Sequence, residues 1–379
     1  MNKNVSGKAR RFPSHWRVLP FSDAVRDSSR GNPKIKAGDY KEFGCVPIVD
    51  QGQKIFGGFT DDMEAICNCE LPTIIFGDHT RAFKFIEQPF ALGADGTKVL
   101  EPIEELDKKF LYHYLNQLKL KSAGYSRHFK FLKETLIPIP PLQEQKRIAT
   151  ILDKADALRR KRQQAIDLAD QFLRSVFLEM FGDPVSNPKG WEKKCISEVA
   201  NVITGNTPPR SEIDNYGQHL EWIKSDNING PGHFLTPAKE GLSNIGIRKA
   251  RVVESGAVLV TCIAGSPDSI GKAAIADRDV SFNQQINALV PSDSVKTEYL
   301  YSTILFGKKL IQNASTNSMK GMVSKGKLEK VLLPIPPLRV QEKYSELFRR
   351  FLLSSEKMEK SRDQIITLNR ALSSEAFTN

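Results

Sequence analysis

Two stretches of the chain set chemical groups in the order that phosphate chemistry uses. In 321-GMVSKGKLE-329 a glycine, four residues, a second glycine and a lysine follow one another as in a nucleotide-binding P-loop. Such a loop needs Ser or Thr next, to hold magnesium, and it follows a buried strand. Here Leu328 takes that place and the polar 313-NASTNSMK-320 comes before it, so ATP binding is not expected. Between Asp183 and Lys194 an aspartate is followed by Glu192-Lys193-Lys194, the residue types with which a nuclease holds Mg²⁺ beside a phosphate. Asp183 stands in the helix stop 182-GDP-184 and Glu192 in a linker, which predicts a solvated hinge. What remains is the chemistry of recognition.

For recognition, 125-YSRHFK-130 offers aromatic, hydroxyl and cationic groups together. Arg127 can pair with a guanine edge through both arms or grip a phosphate, the commoner role. Tyr125, Ser126, His128 and Lys130 share the loop, while Phe129 reads as packing. His79, Thr80, Arg81 and Lys84, after the strand-like 73-TIIF-76, make a second candidate edge. Further along, Thr204, Thr207 and Arg210 lie in 204-TGNTPPR-210, and Ser315, Asn317 and Lys320 in 315-STNSMK-320. Lys224 and Asn227 follow Trp222, itself a core residue by type. Asn283, Gln284 and Gln285 suit adenine edges, but between apolar neighbours they more often satisfy backbone. The loop 206-NTPPR-210 has the outline of an Asn-Pro-Pro-aromatic methyltransferase loop. An inserted Thr, Arg210 in the aromatic's place and the lack of a glycine-rich cofactor loop argue against that chemistry.

The elements that must position these groups come in a duplicate set. The segment 138–181 aligns without a gap on 334–377, from PIPPL to phenylalanine, with Gln145 matching Gln341, Arg174 matching Arg370 and Glu179 matching Glu375. A weaker echo pairs 13-PSHWRVLPFSDAV-25 with 188-PKGWEKKCISEVA-200, so that Trp16 corresponds to Trp191. Each half is therefore a variable unit followed by a uniform segment. The prolines impose extended backbone and then permit a helix start. No Pro or Gly interrupts the first segment until 182-GDP-184, so each uniform segment predicts a long helix. Apolar steps of four and three run through Ile151, Ala155, Leu158, Ala169, Phe172 and Val176, and through Leu347, Phe351, Met358, Ile365, Leu368 and Leu372. Such spacing predicts a coiled-coil seam with polar residues near its middle. Because a short linker joins helix one to the second variable unit, the helices must run antiparallel if they pack. The expected organisation is a variable unit over 1–137, a helix over 138–181, a second unit over 182–333 and a helix over 334–379. Both units read as α+β, with strands at 73–76, 257–260 and 286–290 and helices near 105–121 and 298–312.

Length and charge agree with that layout. A chain of 379 residues is long for a single core. The net charge of +11 is spread over all four segments, which fits a surface that meets an anion such as nucleic acid at several places. Five cysteines at irregular spacing and no secretory leader point to a reducing cytoplasm. Cys67-Asn68-Cys69 is too tight for a CxxC zinc knuckle, so no metal is expected. The longest apolar run, near 257-AVLVTCIAG-265, falls far short of the ~20 residues of a membrane helix.

The whole chain resembles the specificity subunit of Type I restriction–modification systems. The likeness rests on 138-PIPPLQEQKRIATILDKAD-156, 334-PIPPLRVQEKYSELF-348, the Trp16 and Trp191 openings and 203-ITGNTPP-209. The second copy departs from it, with Arg339-Val340-Gln341 in place of Gln143-Glu144-Gln145. The resemblance implies two α/β target-recognition domains separated by two long antiparallel helices in a pseudo-twofold internal repeat. It implies no catalysis and no cofactor in this chain. Each unit would read half of a bipartite site in double-stranded DNA. Two methyltransferase subunits using S-adenosylmethionine and ATP- and Mg²⁺-dependent restriction subunits would be the partners, with no membrane involved. Against it stand a stand-alone nuclease or methyltransferase, for which the sequence offers no intact constellation, and a non-specific coiled-coil scaffold, which leaves two dissimilar polar-looped units unexplained.

Overall fold

The computed structural model describes residues 12–94, 96–121, 124, 126–230, 232–315 and 321–377. They divide into two compact units, one holding the residues up to Gln163 together with those from Lys360 onward, the other running from Gln164 to Glu359. Each unit thus combines a mixed strand-and-helix stretch with a segment of each long helix.

In the first unit an opening strand, Arg17–Pro20, pairs antiparallel with Leu136–Ile139, the strand that leads into the first proline cluster. An antiparallel sheet orders Val25–Asp27, Thr97–Pro102, Thr73–Gly77 and Phe83–Ile86. The central Thr73–Gly77 is buried along its whole length, as its run of β-branched and aromatic residues predicts. A second sheet places Lys34–Ile35, Ala91–Gly93, Val46–Val49 and Gly58–Thr60 side by side with parallel and antiparallel pairs. The helix expected over 105–121 is shorter, Lys108–Asn116, because Asp107 caps it by accepting from the Phe110 amide.

The second unit is likewise framed by an opening strand paired with the strand before its proline cluster. Lys193–Cys195 pairs with Leu332–Pro334, the strand into the second proline cluster. One antiparallel sheet orders Ala200–Thr204, Ile286–Pro291, Val258–Thr261 and Ala273–Ile275, and a mixed sheet orders Gly241–Leu242, Tyr216–Ile223, Val280–Phe282 and Val252–Val253. The helix expected over 298–312 is broken at Gly307 into Thr297–Phe306 and Lys308–Gln312. A side chain at Gly307 would meet the Thr303 carbonyl at 2.6 Å and Pro184 at 2.8 Å.

The two long helices are Leu142–Phe181 and Leu338–Ala376, of 40 and 39 residues. The first stops at Gly182, whose φ of +79° is the left-handed C′ conformation that glycine adopts without strain. Along the helices the buried line differs from the expected seam. In the first unit Ile148, Ala149 and Leu152 pack with Phe110, Leu111, Tyr114 and Phe377. In the second unit Leu173, Phe177 and Phe181 pack with Tyr299, Leu300, Tyr344 and Phe348. Ile151, Leu158, Phe172, Leu347 and Leu368 are exposed, Phe172 by 65%. Ala155, Ala169, Val176, Phe351, Met358, Ile365 and Leu372 are half-buried at the margin.

The displacement has a physical origin in a polar side chain. Gln145 and Gln341 are fully buried, and three- and four-residue steps from them lead to Ile148 and Leu152 and to Tyr344 and Phe348. Gln145 accepts from the Asp107 amide at 2.7 Å and donates to the Glu105 and Pro140 carbonyls. Gln341 accepts from the Lys296 amide at 2.9 Å and donates to the Ser294 and Pro336 carbonyls. Each glutamine thereby ties a long helix to the cap of the shorter helix beside it. A reading that counts only apolar residues misses the position from which the seam is phased.

Candidate nucleic-acid interface

In the second unit the recognition candidates converge on an aromatic corner. The loop after Ala200–Thr204 turns at Gly205, where any side chain would collide with the Asn283 carbonyl. The Asn206 side chain then donates to the Lys249 carbonyl at 2.7 Å and accepts from the Arg251 amide at 2.8 Å. Trp222, 3% exposed, donates its indole N–H to the Asn206 carbonyl, and Tyr216 donates its hydroxyl to the Pro208 carbonyl at 2.7 Å. On this platform the Arg210 guanidinium lies 4.5 Å from the Tyr216 ring centre and 4.9 Å from that of Trp222.

Glu240 completes the corner. Its two carboxylate oxygens bind Arg210 at 2.9 Å and Lys224 at 2.7 Å. The Lys224 and Arg210 hydrogen bonds hold the Glu240 carboxyl below the usual carboxylate range. Since these side chains are between 33% and 54% exposed, the pairs orient side chains more than they stabilise the fold. Beside them Thr207 donates to the exposed Gln284 side chain. The corner presents an oriented planar cation, an ammonium and an amide, the groups that meet guanine edges, phosphates and adenine edges.

Other candidates in this unit serve its frame. Asn227, 7% exposed, accepts from the Lys224 amide and donates to the Pro237 carbonyl. Thr204 donates to Asn287 at 2.6 Å inside the sheet, and Asn283 is buried, accepting from the Gln285 amide. Ser315 bonds the Met322 carbonyl. Asn317 and Lys320 lie outside the described residues.

The first unit corrects two expectations. Lys84 is 5% exposed and donates to the Asp50 carbonyl at 2.7 Å and its carboxylate at 3.3 Å. Burial pushes its amine below the usual lysine range against the pull of Asp50. His128, 1% exposed, bonds the Asp78 carbonyl through Nδ1 at 2.9 Å. Both are internal struts, because each strand or helix that carries them turns them toward a carbonyl far away in sequence.

What the first unit does present is a loop clamped by residues the sequence reading missed. Gln51 accepts from the His79 amide through its side chain, and its carbonyl accepts from the Thr80 hydroxyl. Asp78 accepts from the Phe129 amide at 2.6 Å, tying 77–81 to the segment that follows 122–128. Arg81, at a φ of +63°, is exposed and donates to the Leu120 carbonyl. Arg127 and Lys130 are exposed, and Lys130 lies 4.9 Å from the Phe131 ring centre. Ser126 Oγ is buried without a hydrogen-bond partner among the described residues, and Phe129 packs against Phe21 and Phe76. Tyr125 lies outside the described residues. The available signal was an aspartate directly after a buried strand, at Asp50 and again at Asp78.

The apparent catalytic groups also have structural duties. Asp183 accepts from the Val185 and Ser186 amides in the turn after the first long helix, and the Ser186 amide leads in lowering its carboxyl. Ser324 caps the five-residue helix Lys325–Glu329, and Leu328 is buried. Among the described residues no group of three or more His, Cys, Asp or Glu is placed to hold a metal, and no helix is long and apolar enough to cross a membrane.

Comparison with known proteins follows the same lines. The family model described as Type I restriction modification DNA specificity domain matches residues 25–168 and 188–367. The specificity subunit of the Type I restriction enzyme EcoR124I/EcoR124II from Escherichia coli is 22% identical over 354 residues, 88% of this chain and 86% of that one. The crystal structure of the Type-I restriction-modification system S subunit from M. genitalium superimposes with a TM-score of 0.61 at 15% identity, covering 99% of this chain and 98% of that one. A structure solved for complex assembly and conformational transition of the type I R-M system gives 0.53 at 17% identity, covering 97% and 99%. At such identities the two structures show a shared fold.

Proposed function

The chain belongs to the Type I restriction modification DNA specificity family, and from that premise we propose that it selects the DNA sequence on which a Type I restriction–modification complex acts, without performing bond chemistry itself. The reading is that each α/β unit recognises one half of a bipartite duplex site. The two long helices, running antiparallel as a coiled coil, set the gap between the halves and dock two methyltransferase subunits. The cofactors, S-adenosylmethionine, ATP and Mg²⁺, then belong to the methyltransferase and restriction subunits, and the complex works in the cytoplasm.

The observation that carries this reading is the oriented cationic corner of Arg210, Lys224 and Glu240 on an aromatic platform, with an exposed Arg81 and Arg127 in the other unit. Fixed forks of this kind suit base edges better than mobile ones, because less side-chain freedom is lost on binding. Helix contacts inside each unit support the antiparallel pairing: Gln163 meets Arg362 in the first and Phe177 meets Tyr344 in the second. Exposed apolar side chains on the helices, Ile151 and Leu158 in the first unit and Leu168 and Phe172 in the second, suit coverage by partner subunits.

A domain exchange tests it. Replacing residues 12–137 by the corresponding unit of another member, and mapping methylated adenines with the methyltransferase present, should change one half-site and leave the other intact. Change in both halves or in neither would rule the modular reading out, and binding indifferent to sequence would favour a plain scaffold.

A further inference from the structure

Cys67 and Cys69 flank one residue in the first unit, and the chain folds that tripeptide into a tight turn, with the Cys69 amide donating to the Cys67 carbonyl at 3.1 Å. A bond between residues i and i+2 closes a γ-turn, which keeps the two Cα atoms within the roughly 4.4–6.8 Å that a disulfide spans. The turn is pinned from outside: the Cys67 amide donates to the Phe90 carbonyl and the Asn68 amide to the Asn32 side chain, both at 2.7 Å. Both sulfurs share one apolar cluster. Cys67, 7% exposed, sits among Val49, Ile75 and Phe90, and half-buried Cys69 packs against them.

Their environments differ in the sense that thiol exchange requires. The neighbouring Cys67 thiol, aided by Lys108 and Thr73 against burial and Glu101, holds the Cys69 thiol below its ordinary value, while the neighbouring Cys69 and burial push Cys67 up. Lys108 is itself anchored on the Glu70 carbonyl at 3.3 Å. All five cysteines are free thiols in this structure.

We propose that Cys67 and Cys69 form a redox-active dithiol, with Cys69 the attacking and Cys67 the resolving sulfur, that closes reversibly by exchange with a low-molecular-weight disulfide such as oxidised glutathione. The Cys69 thiolate attacks one sulfur of the small disulfide, giving a mixed disulfide and one released thiolate. Cys67 then passes its proton to that thiolate and attacks the Cys69 sulfur, displacing the second small thiolate, which is protonated from solvent. Two electrons pass to the small disulfide, leaving two small thiols and one Cys67–Cys69 bond.

The test uses the full chain carrying Cys45→Ser, which removes the exposed thiol that would link chains. Treatment with oxidised glutathione should lower the intact mass by about 2 Da, with peptide mapping to a 67–69 disulfide that dithiothreitol reverses. Cys69→Ser should abolish the loss, and Cys67→Ala should stop at a glutathione adduct on Cys69. In the unsubstituted chain a limiting dose of iodoacetamide should label Cys69 ahead of the more exposed Cys45. An unchanged mass, an adduct that persists on Cys69 with Cys67 present, or first labelling at Cys45 would overturn the proposal.

Discussion

Arg210 gains its meaning from Glu240, thirty residues further along the chain and bonded to both Arg210 and Lys224. On the proposed function, a guanidinium held on two rings and one carboxylate is aimed before DNA arrives. Arg210→Ala is therefore expected to weaken binding of the cognate duplex by about 1–3 kcal/mol and to relax one base pair of one half-site. Titrations against single-position variants check this, since loss of a phosphate contact would instead weaken all sequences alike and lower the salt slope by about one. His233 illustrates another residue-scale effect. Burial beside Tyr301, Phe348 and Phe351 pushes its imidazole down from 6.5 to about 4. The folded chain thus resists a proton that the unfolded chain accepts. No penalty operates above about pH 6.5, and stability is lost as pH falls through the window from there to about 4, by up to about 3 kcal/mol. Asp170, 3.9 Å away, has its carboxyl raised by burial and remains in either protein. Urea midpoints across that window should fall less steeply for His233→Asn than for the unsubstituted chain. Polar loops put Arg210, Lys224 and Thr207 among the candidates, and folding gathers them at one corner. Lys84, His128 and Asn227 were misjudged because residue type does not reveal whether a distant carbonyl closes over a side chain.

The proline cluster works together with the glutamine that follows it. The strand before the prolines is held by the opening strand of its unit, and the helix after them is fixed by Gln145 or Gln341 to the cap of a shorter helix. Gln145→Ala should leave the Asp107 amide and two carbonyls unpaired, at a cost of roughly 1–3 kcal/mol. Gln341→Ala should do the same at the Lys296 amide, and denaturant midpoints with unchanged slopes measure both. The equivalence has a limit at the tryptophans. Trp16 donates to Glu144 at 3.3 Å, whereas Trp191 donates to the Phe181 carbonyl at 2.9 Å, and Val340 stands where the first copy has Glu144. Helix length and stop were plain from the absence of Pro and Gly before Gly182. The facing of the helices was not, since the line of burial begins at a polar residue.

For the whole molecule, each of the two compact units takes part of both long helices. A helix of 40 residues spans roughly 60 Å at ~1.5 Å per residue, longer than the ~34 Å of one DNA turn. If the helices set the gap, one heptad inserted in both should widen it by about 10 Å, or roughly three base pairs. Methylation mapping with the lengthened chain reads this directly, and an unchanged gap in an active complex would end the ruler idea.

The recurrence of PIPPL, the two long helices, the buried strands and the family likeness can be read along the chain, since all depend on order and spacing. Which polar residues are struts, which are presented and which helix face is buried follow from the folded arrangement instead. Those outcomes depend on partners such as Asp50 for Lys84, Asp78 for His128 and Asp107 for Gln145, brought close by folding across tens of residues. A buried polar group must find its hydrogen bond wherever the fold supplies one, and that place is set by packing rather than by neighbouring residues.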